Sequence, residues 1–187
     1  EIDQAINEDQ ERFGVQLSDG QQAVIDFIKG RFRQLLTTKQ IRHDVIDAVL
    51  NAKQSDLTKV FAAAQLFKER LDEEEFKPSM EALTRVVNLA KKAQETTTTE
   101  INPALFENEA ETALYQAVAE MKKQFGTQTL KEDYDQLVAL RPLIETYFDQ
   151  TMVMVDDPAV RNNRLAQLKQ IAEMALSIAS LDQIITK

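Results

Sequence analysis

Apolar residues recur at three- and four-residue spacing in segment after segment of this chain, and that rhythm confines most of it to helix. No sustained alternation of apolar and polar residues competes with it. Glycine and proline occur four times each and act mostly as punctuation between the periodic segments. With 43% hydrophobic residues among 187, the chain can bury a full core as one or two domains. The expected fold class is all-α, a single helical bundle of about eight helices.

The boundaries follow from caps and breakers. A first helix is expected over about residues 1–12, ending at Gly14. A second follows Ser18-Asp19, with Val24, Phe27, Ile28, Phe32, Leu35 and Leu36 forming its apolar face. A third starts near Asp44 as N-cap, with Val45, Ile46, Val49 and Leu50 inward. Ser55 is the expected cap of a fourth helix carrying Leu57, Val60, Phe61, Ala64, Phe67 and Leu71. The acidic run 72–75 reads as a solvated turn, and Pro78 opens a fifth helix with Met80, Leu83, Val86, Val87 and Leu89 inside.

Residues 95–100, ETTTTE, are the clearest loop, because four β-branched threonines disfavour helix. Asn102-Pro103 then reads as a cap with proline at the first helical position, opening a helix to about Lys123. Gly126 ends the connection, and Thr129 with Glu132 forms a capping box for the next helix. Pro142 falls inside that pattern and predicts a kink or break. Asp157-Pro158 opens the last long helix, which runs to about Ala179.

Several function classes lose support. Cysteine is absent, so there is no disulfide, thiol nucleophile or thiolate metal site. His43 is the lone histidine and defines neither a metal site nor a catalytic dyad. There is no phosphate loop, no G-x-G-x-x-G and no H-E-x-x-H. The acids fall in solvated turns rather than in a catalytic pair. No catalytic residues and no cofactor are expected in this chain. No apolar run approaches the roughly 18–20 residues that span a bilayer, so no membrane partner is expected. Residue 1 is Glu and no signal peptide is read, so the chain reads as a cytoplasmic piece of something longer.

A net charge of −9 argues against a general nucleic-acid binder, DNA included. The charge is uneven, however. Residues 1–26 carry seven acids and only Arg12, whereas 27–43 carry Lys29, Arg31, Arg33, Lys39 and Arg42 with no acid. A local basic patch on an acidic body favours a defined RNA site. The other reading of the patch is a solvated face that compensates the acidic helix before it.

Two further clusters are candidates for RNA contact. Arg161, Asn162, Asn163 and Arg164 lie in the first turns of the last helix, near its positive dipole end. Guanidinium and amide groups there suit phosphates and base edges. They suit equally a clamp onto the preceding acidic turn, Asp156 and Asp157. Arg85 and Asn88, three apart, face the same way on the fifth helix. Base stacking would fall to Tyr115, Tyr134, Tyr147, Phe32 or an arginine plane. Met152, Val153 and Met154 read as core filler.

Several blocks carry a resemblance in order: HDVIDAVL at 43–50, RVVN at 85–88, INPALF at 101–106, and Phe148-Asp149, Met152-Val153-Met154, Asp156-Asp157, Arg161, Asn163-Arg164-Leu165. Over roughly residues 25–175 the chain resembles the bacterial glycyl-tRNA synthetase beta subunit, at its C-terminal DALR-type anticodon-binding domain. The family shows a basic residue before the Arg-x-x-Asn pattern, where this chain has Thr84. The resemblance implies residues 1–20 as a helical lead-in and 21–187 as the anticodon-binding domain. It implies glycine tRNA as ligand and an alpha subunit as partner in a heterotetramer, with ATP used by the holoenzyme and bound elsewhere. Charge, helix position and the resemblance together make Arg161, Arg164, Asn162, Asn163, Arg85, Asn88, Lys29, Arg31, Arg33 and Arg42 the expected RNA-binding residues. The rival readings are a helical protein-interaction module with acidic faces, and a DALR domain of an arginyl or cysteinyl type.

Overall fold

The computed structural model describes residues 19–93 and 100–186. Among them are eight α-helices, two 3₁₀ turns and no strand. The helices are α1 (Asp19–Thr38), α2 (His43–Leu50), α3 (Leu57–Arg70), α4 (Phe76–Ala90), α5 (Glu109–Lys122), α6 (Leu130–Ala139), α7 (Arg141–Gln150) and α8 (Pro158–Ile178). The 3₁₀ turns are Pro103–Leu105 and Leu181–Gln183. The helix expected over 1–12 and the loop at 95–99 lie outside the described residues.

The core forms where α4 lies along α8. Met80, Leu83, Val86 and Val87 of α4 are essentially fully buried, as are Leu168, Ile171 and Ala175 of α8. Each such large aliphatic residue contributes roughly 1.5–3 kcal/mol through burial. α2 and α3 close one side through Val45, Ile46, Val49 and Phe67, and α5–α7 close the other through Leu114, Leu137 and Ile144. Phe67 meets Phe76 and Tyr134 edge-on, at centroid distances of 6.3 and 5.6 Å.

Most boundaries match the sequence signals, and the exceptions have local causes. Thr129 and Glu132 form the expected capping box on α6. Pro142 breaks the helix as expected, because it sits in the first turn of α7, where its missing N–H leaves no bond unmade. Asp157 caps α8, accepting from the N–H groups of Ala159 at 2.8 Å and Val160 at 3.2 Å.

Three caps fall elsewhere. Asp56, not Ser55, caps α3, accepting from the Thr58 N–H at 2.8 Å. Arg42 stands at the N-cap of α2, and Asp44 is buried in its first turn. Asn102-Pro103 opens only a 3₁₀ turn; α5 begins six residues later, capped by Asn108.

α1 departs most from expectation. Only Ile25 and Leu36 are buried, while Val24 (55% exposed), Phe27 (64%) and Leu35 (43%) face outward. The physical reason is that, among the described elements, α1 packs chiefly on α2. It ends at Thr38, and Gln40, with a φ of 58°, lies in the turn that follows.

Candidate nucleic-acid interface

α8 is surrounded on nearly all sides, so polar groups on it need partners inside the protein. Arg164 is 2% exposed. Its Nε donates to Glu111 Oε1 at 2.9 Å, and its Nη2 donates to Glu107 Oε2 at 2.6 Å and Glu111 Oε2 at 3.2 Å. Its Nη1 donates to the Met152 carbonyl at 3.1 Å. Glu111 is fully buried; its carboxylate also accepts from the Glu107 N–H, and its carbonyl accepts from Gln167 Nε2 at 2.8 Å. The Glu111 hydrogen bond raises the Arg164 pKa, against desolvation. The RNA contact expected of Arg164 is therefore corrected, because its donors are engaged within the core.

Asn163 is corrected on the same ground. Its Oδ1 accepts from the Asn102 N–H at 2.7 Å, and its Nδ2 donates to the Asn102 carbonyl at 3.1 Å. Arg161 is half-buried, and its Nη1 donates to the carbonyls of Val155 at 2.9 Å and Asp156 at 3.3 Å. The clamp onto the acidic turn thus exists, made through backbone oxygens while the Asp157 carboxylate caps the helix. Asn162 is the one exposed residue of the four.

These arginines shape something else. Arg164 grips the segment between α7 and α8 at Met152, and Arg161 grips it at Val155 and Asp156. Asn108 holds its start through the Thr151 hydroxyl at 3.1 Å. Burial alternates along the segment so held: Thr151 and Val153 point inward, while Met152 (74% exposed) and Met154 (47%) point out. Reading all of Met152–Met154 as core filler was wrong for the two methionines, because this stretch is non-helical and successive side chains take opposite sides.

The ledge faces α4. One open cavity of about 520 Å³ is lined by Arg85, Leu89, Phe148, Met152 and Met154. A second, of about 560 Å³, shares Arg85 and Leu89 and extends past Asn88 and Lys92 to Ile184 and Thr186. Arg85 lies over the Phe148 ring, its guanidinium carbon 4.1 Å from the centroid, and remains exposed. Phe148 therefore fixes the guanidinium without covering it. Asn88 is exposed on the same face, one turn on.

The far wall is held by a predicted phosphate ligand acting otherwise. Arg42 forks onto Asp44, Nε to Oδ1 at 2.5 Å and Nη2 to Oδ2 at 2.6 Å, and also donates to the Ile185 carbonyl at 2.7 Å. Asp44 Oδ2 accepts the Ile185 N–H at 2.7 Å. Burial pushes the Asp44 carboxyl up, but the Arg42 and Ile185 hydrogen bonds outweigh it and hold the pKa below its ordinary value. This clasp seats the residues flanking Ile185 in the groove wall, and Arg42, though exposed, has its guanidinium engaged on Asp44 and Ile185.

The rest of the basic patch is dispersed. Arg33 pairs with Asp47 at 2.6 Å, and Arg31 lies 5.4 Å over Phe27. Lys29 and Arg31 remain exposed on α1. Of the proposed stacking aromatics, Tyr134 and Tyr147 are buried, and burial pushes both hydroxyl pKa values up. Tyr115 is half-buried against Phe106, 5.6 Å between centroids. Phe148, named in a resemblance block but not among the stacking candidates, is the aromatic at the groove.

On this helical bundle an arginine plane, an amide and two exposed methionines thus border one open groove. The sequence profile of the DALR anticodon binding domain matches residues 79–181, more than half of the chain, and the chain belongs to that family. It is 44% identical to the glycine–tRNA ligase beta subunit of Levilactobacillus brevis, over 88% of this chain and 24% of that protein. The corresponding subunit of Lactiplantibacillus plantarum is 42% identical over the same shares, and that of Lactobacillus acidophilus 38% identical over 91% and 24%. The chain thus spans about a quarter of the length of these relatives.

Proposed function

We propose that this chain is the anticodon-arm-binding part of a glycine–tRNA ligase beta subunit and contributes tRNA selection rather than chemistry. The observation that carries the reading is that the family match over residues 79–181 takes in Arg85 and Asn88 of α4 and the Phe148–Met154 segment across from them. Arg85, Asn88 and Asn162 are its exposed contacts, with Lys29 and Arg31 of α1 tracking phosphates at a distance from the bases. Glycine tRNA is the ligand, and an alpha subunit is the partner in a heterotetramer. ATP is bound elsewhere in that assembly, which works in the cytoplasm on tRNA and not DNA. No helix among the described residues is long and apolar enough to cross a membrane.

The test is a titration of this chain with a glycine-tRNA anticodon stem-loop and a scrambled-anticodon control, at low and moderate salt. Preferential binding to the glycine loop is expected, with affinity falling as salt rises. Equal affinity for both loops would reduce the role to backbone docking. Binding to neither would remove the reading from this chain.

A further inference from the structure

We infer that Met152, Met154 and the Arg85 guanidinium form a stacking site for an unpaired nucleobase, an inference that rests on the RNA-binding reading above. Two methionines at 74% and 47% exposure, side by side on a non-helical segment, present apolar surface that water solvates poorly. Their backbone is not loose. Asn108, Arg164 and Arg161 hold it at Thr151, Met152, Val155 and Asp156. An apolar surface fixed in advance binds with less ordering on contact.

The occupant is set by what surrounds the ledge. Arg85 lies across Phe148 at 4.1 Å yet stays exposed, so a flat cationic group borders the same cavity as the two thioethers. Thioethers make favourable contacts with aromatic rings, and guanidinium planes stack on bases. The charges at the rim nearly cancel: Glu81 and Asp149 stand against Arg85 and Lys92, and Asp182 is paired with Lys91 at 2.7 Å. A balanced rim repels neither base nor backbone and does not concentrate phosphate. The surface therefore fits the face of a neutral aromatic ring, with the exposed Asn88 amide on the adjoining cavity available to a base edge.

The test compares this chain with the double variant Met152→Ala/Met154→Ala and with Arg85→Lys, titrated with the anticodon stem-loop and with a duplex lacking the loop. All three side chains are exposed, so folding should be unchanged, and a thermal melt checks this. The double variant should lose about tenfold in stem-loop affinity, the effect of one stacked base, with the salt slope and duplex affinity unaltered. Arg85→Lys keeps the charge but not the plane, and should also weaken stem-loop binding. Undiminished stem-loop affinity in both variants would overturn the site while leaving RNA binding intact, and would assign the ledge to a protein contact. Equal losses for stem-loop and duplex would overturn it as well. If the unaltered chain binds no RNA, the reading fails and the stacking site falls with it.

Discussion

The start of α8 and the middle of α4 carry the same kind of message in sequence: arginine and asparagine within one turn of a helix. Their fates are opposite. On α8 the face turns inward, so Asn163 and Arg164 close hydrogen bonds on Asn102, Glu111, Glu107 and Met152. On α4 the corresponding face is open, and Arg85 and Asn88 line cavities. The difference comes from the neighbours. α8 is enclosed by several elements, whereas α4 is covered along the stripe of Met80, Leu83, Val86 and Val87 and open opposite it. A basic cluster is a binding cluster only where the bundle leaves its face uncovered. The start of α8 still serves the open face, since Arg164 and Arg161 fix the Met152–Met154 segment across from Arg85.

The comparison breaks most visibly at Arg164. Arg164→Ala leaves Glu111 buried without its cation, and should lower unfolding free energy by about 3–5 kcal/mol in a urea titration. A change within about 0.5 kcal/mol would place Arg164 at the surface and reverse its assignment.

Arg85→Ala should do the converse. Stem-loop affinity should fall by about 1–3 kcal/mol, while the melting temperature stays close to that of the parent. If the melting temperature drops and affinity does not, the Arg85–Phe148 stack is only structural.

The two asparagines sharpen the contrast at a smaller scale. Asn163→Ala leaves the backbone groups of Asn102 without these partners and should destabilise by about 1–3 kcal/mol. Asn88→Ala should leave stability within about 0.5 kcal/mol, and should weaken binding only to RNA with the cognate loop. Equal denaturation midpoints for the two variants would erase the distinction between the faces.

The smallest effect concerns pH. The Asp44 pKa lies below its ordinary value in the fold, so the carboxylate contributes stability that is fully present above the unfolded pKa. That stability is lost as pH falls through the lower folded value. Amide exchange at Ile185 should therefore accelerate, relative to core amides, on acidification through the ordinary carboxylate range and below. Asp44→Asn should remove that dependence, and an unchanged profile in the variant would show that the clasp does not rely on the charge.

The helical architecture was legible because apolar spacing and caps act locally: Thr129–Glu132, Pro142 and Asp157-Pro158 each specify a boundary without reference to the rest of the chain. The site was only partly legible. Arg85 and Asn88 could be picked out by spacing, and the ordered blocks pointed to the family. Burial of Arg164 depends on Glu111, 53 positions away, and the clasp at Arg42 depends on Ile185, 143 positions away. Neither pairing leaves a local signature. The outward methionines carried a faint one, an apolar run just after a helix end that is too short to form another helix. α1 misled for a related reason: its apolar period is real, but most of that face meets no other described element.

The proposed RNA site is the groove between α4 and the Met152–Met154 ledge. The chain has five methionines, of which Met152 and Met154 are exposed, while Met80, Met121 and Met174 are buried. Methyl-labelled methionine therefore offers a direct readout by NMR as the anticodon stem-loop is added. The Met152 and Met154 methyl signals should shift and saturate with the binding curve while the three buried ones hardly move. Stem-loop binding that leaves both exposed methyls unshifted would place the RNA elsewhere on the domain and rule out this groove as its site.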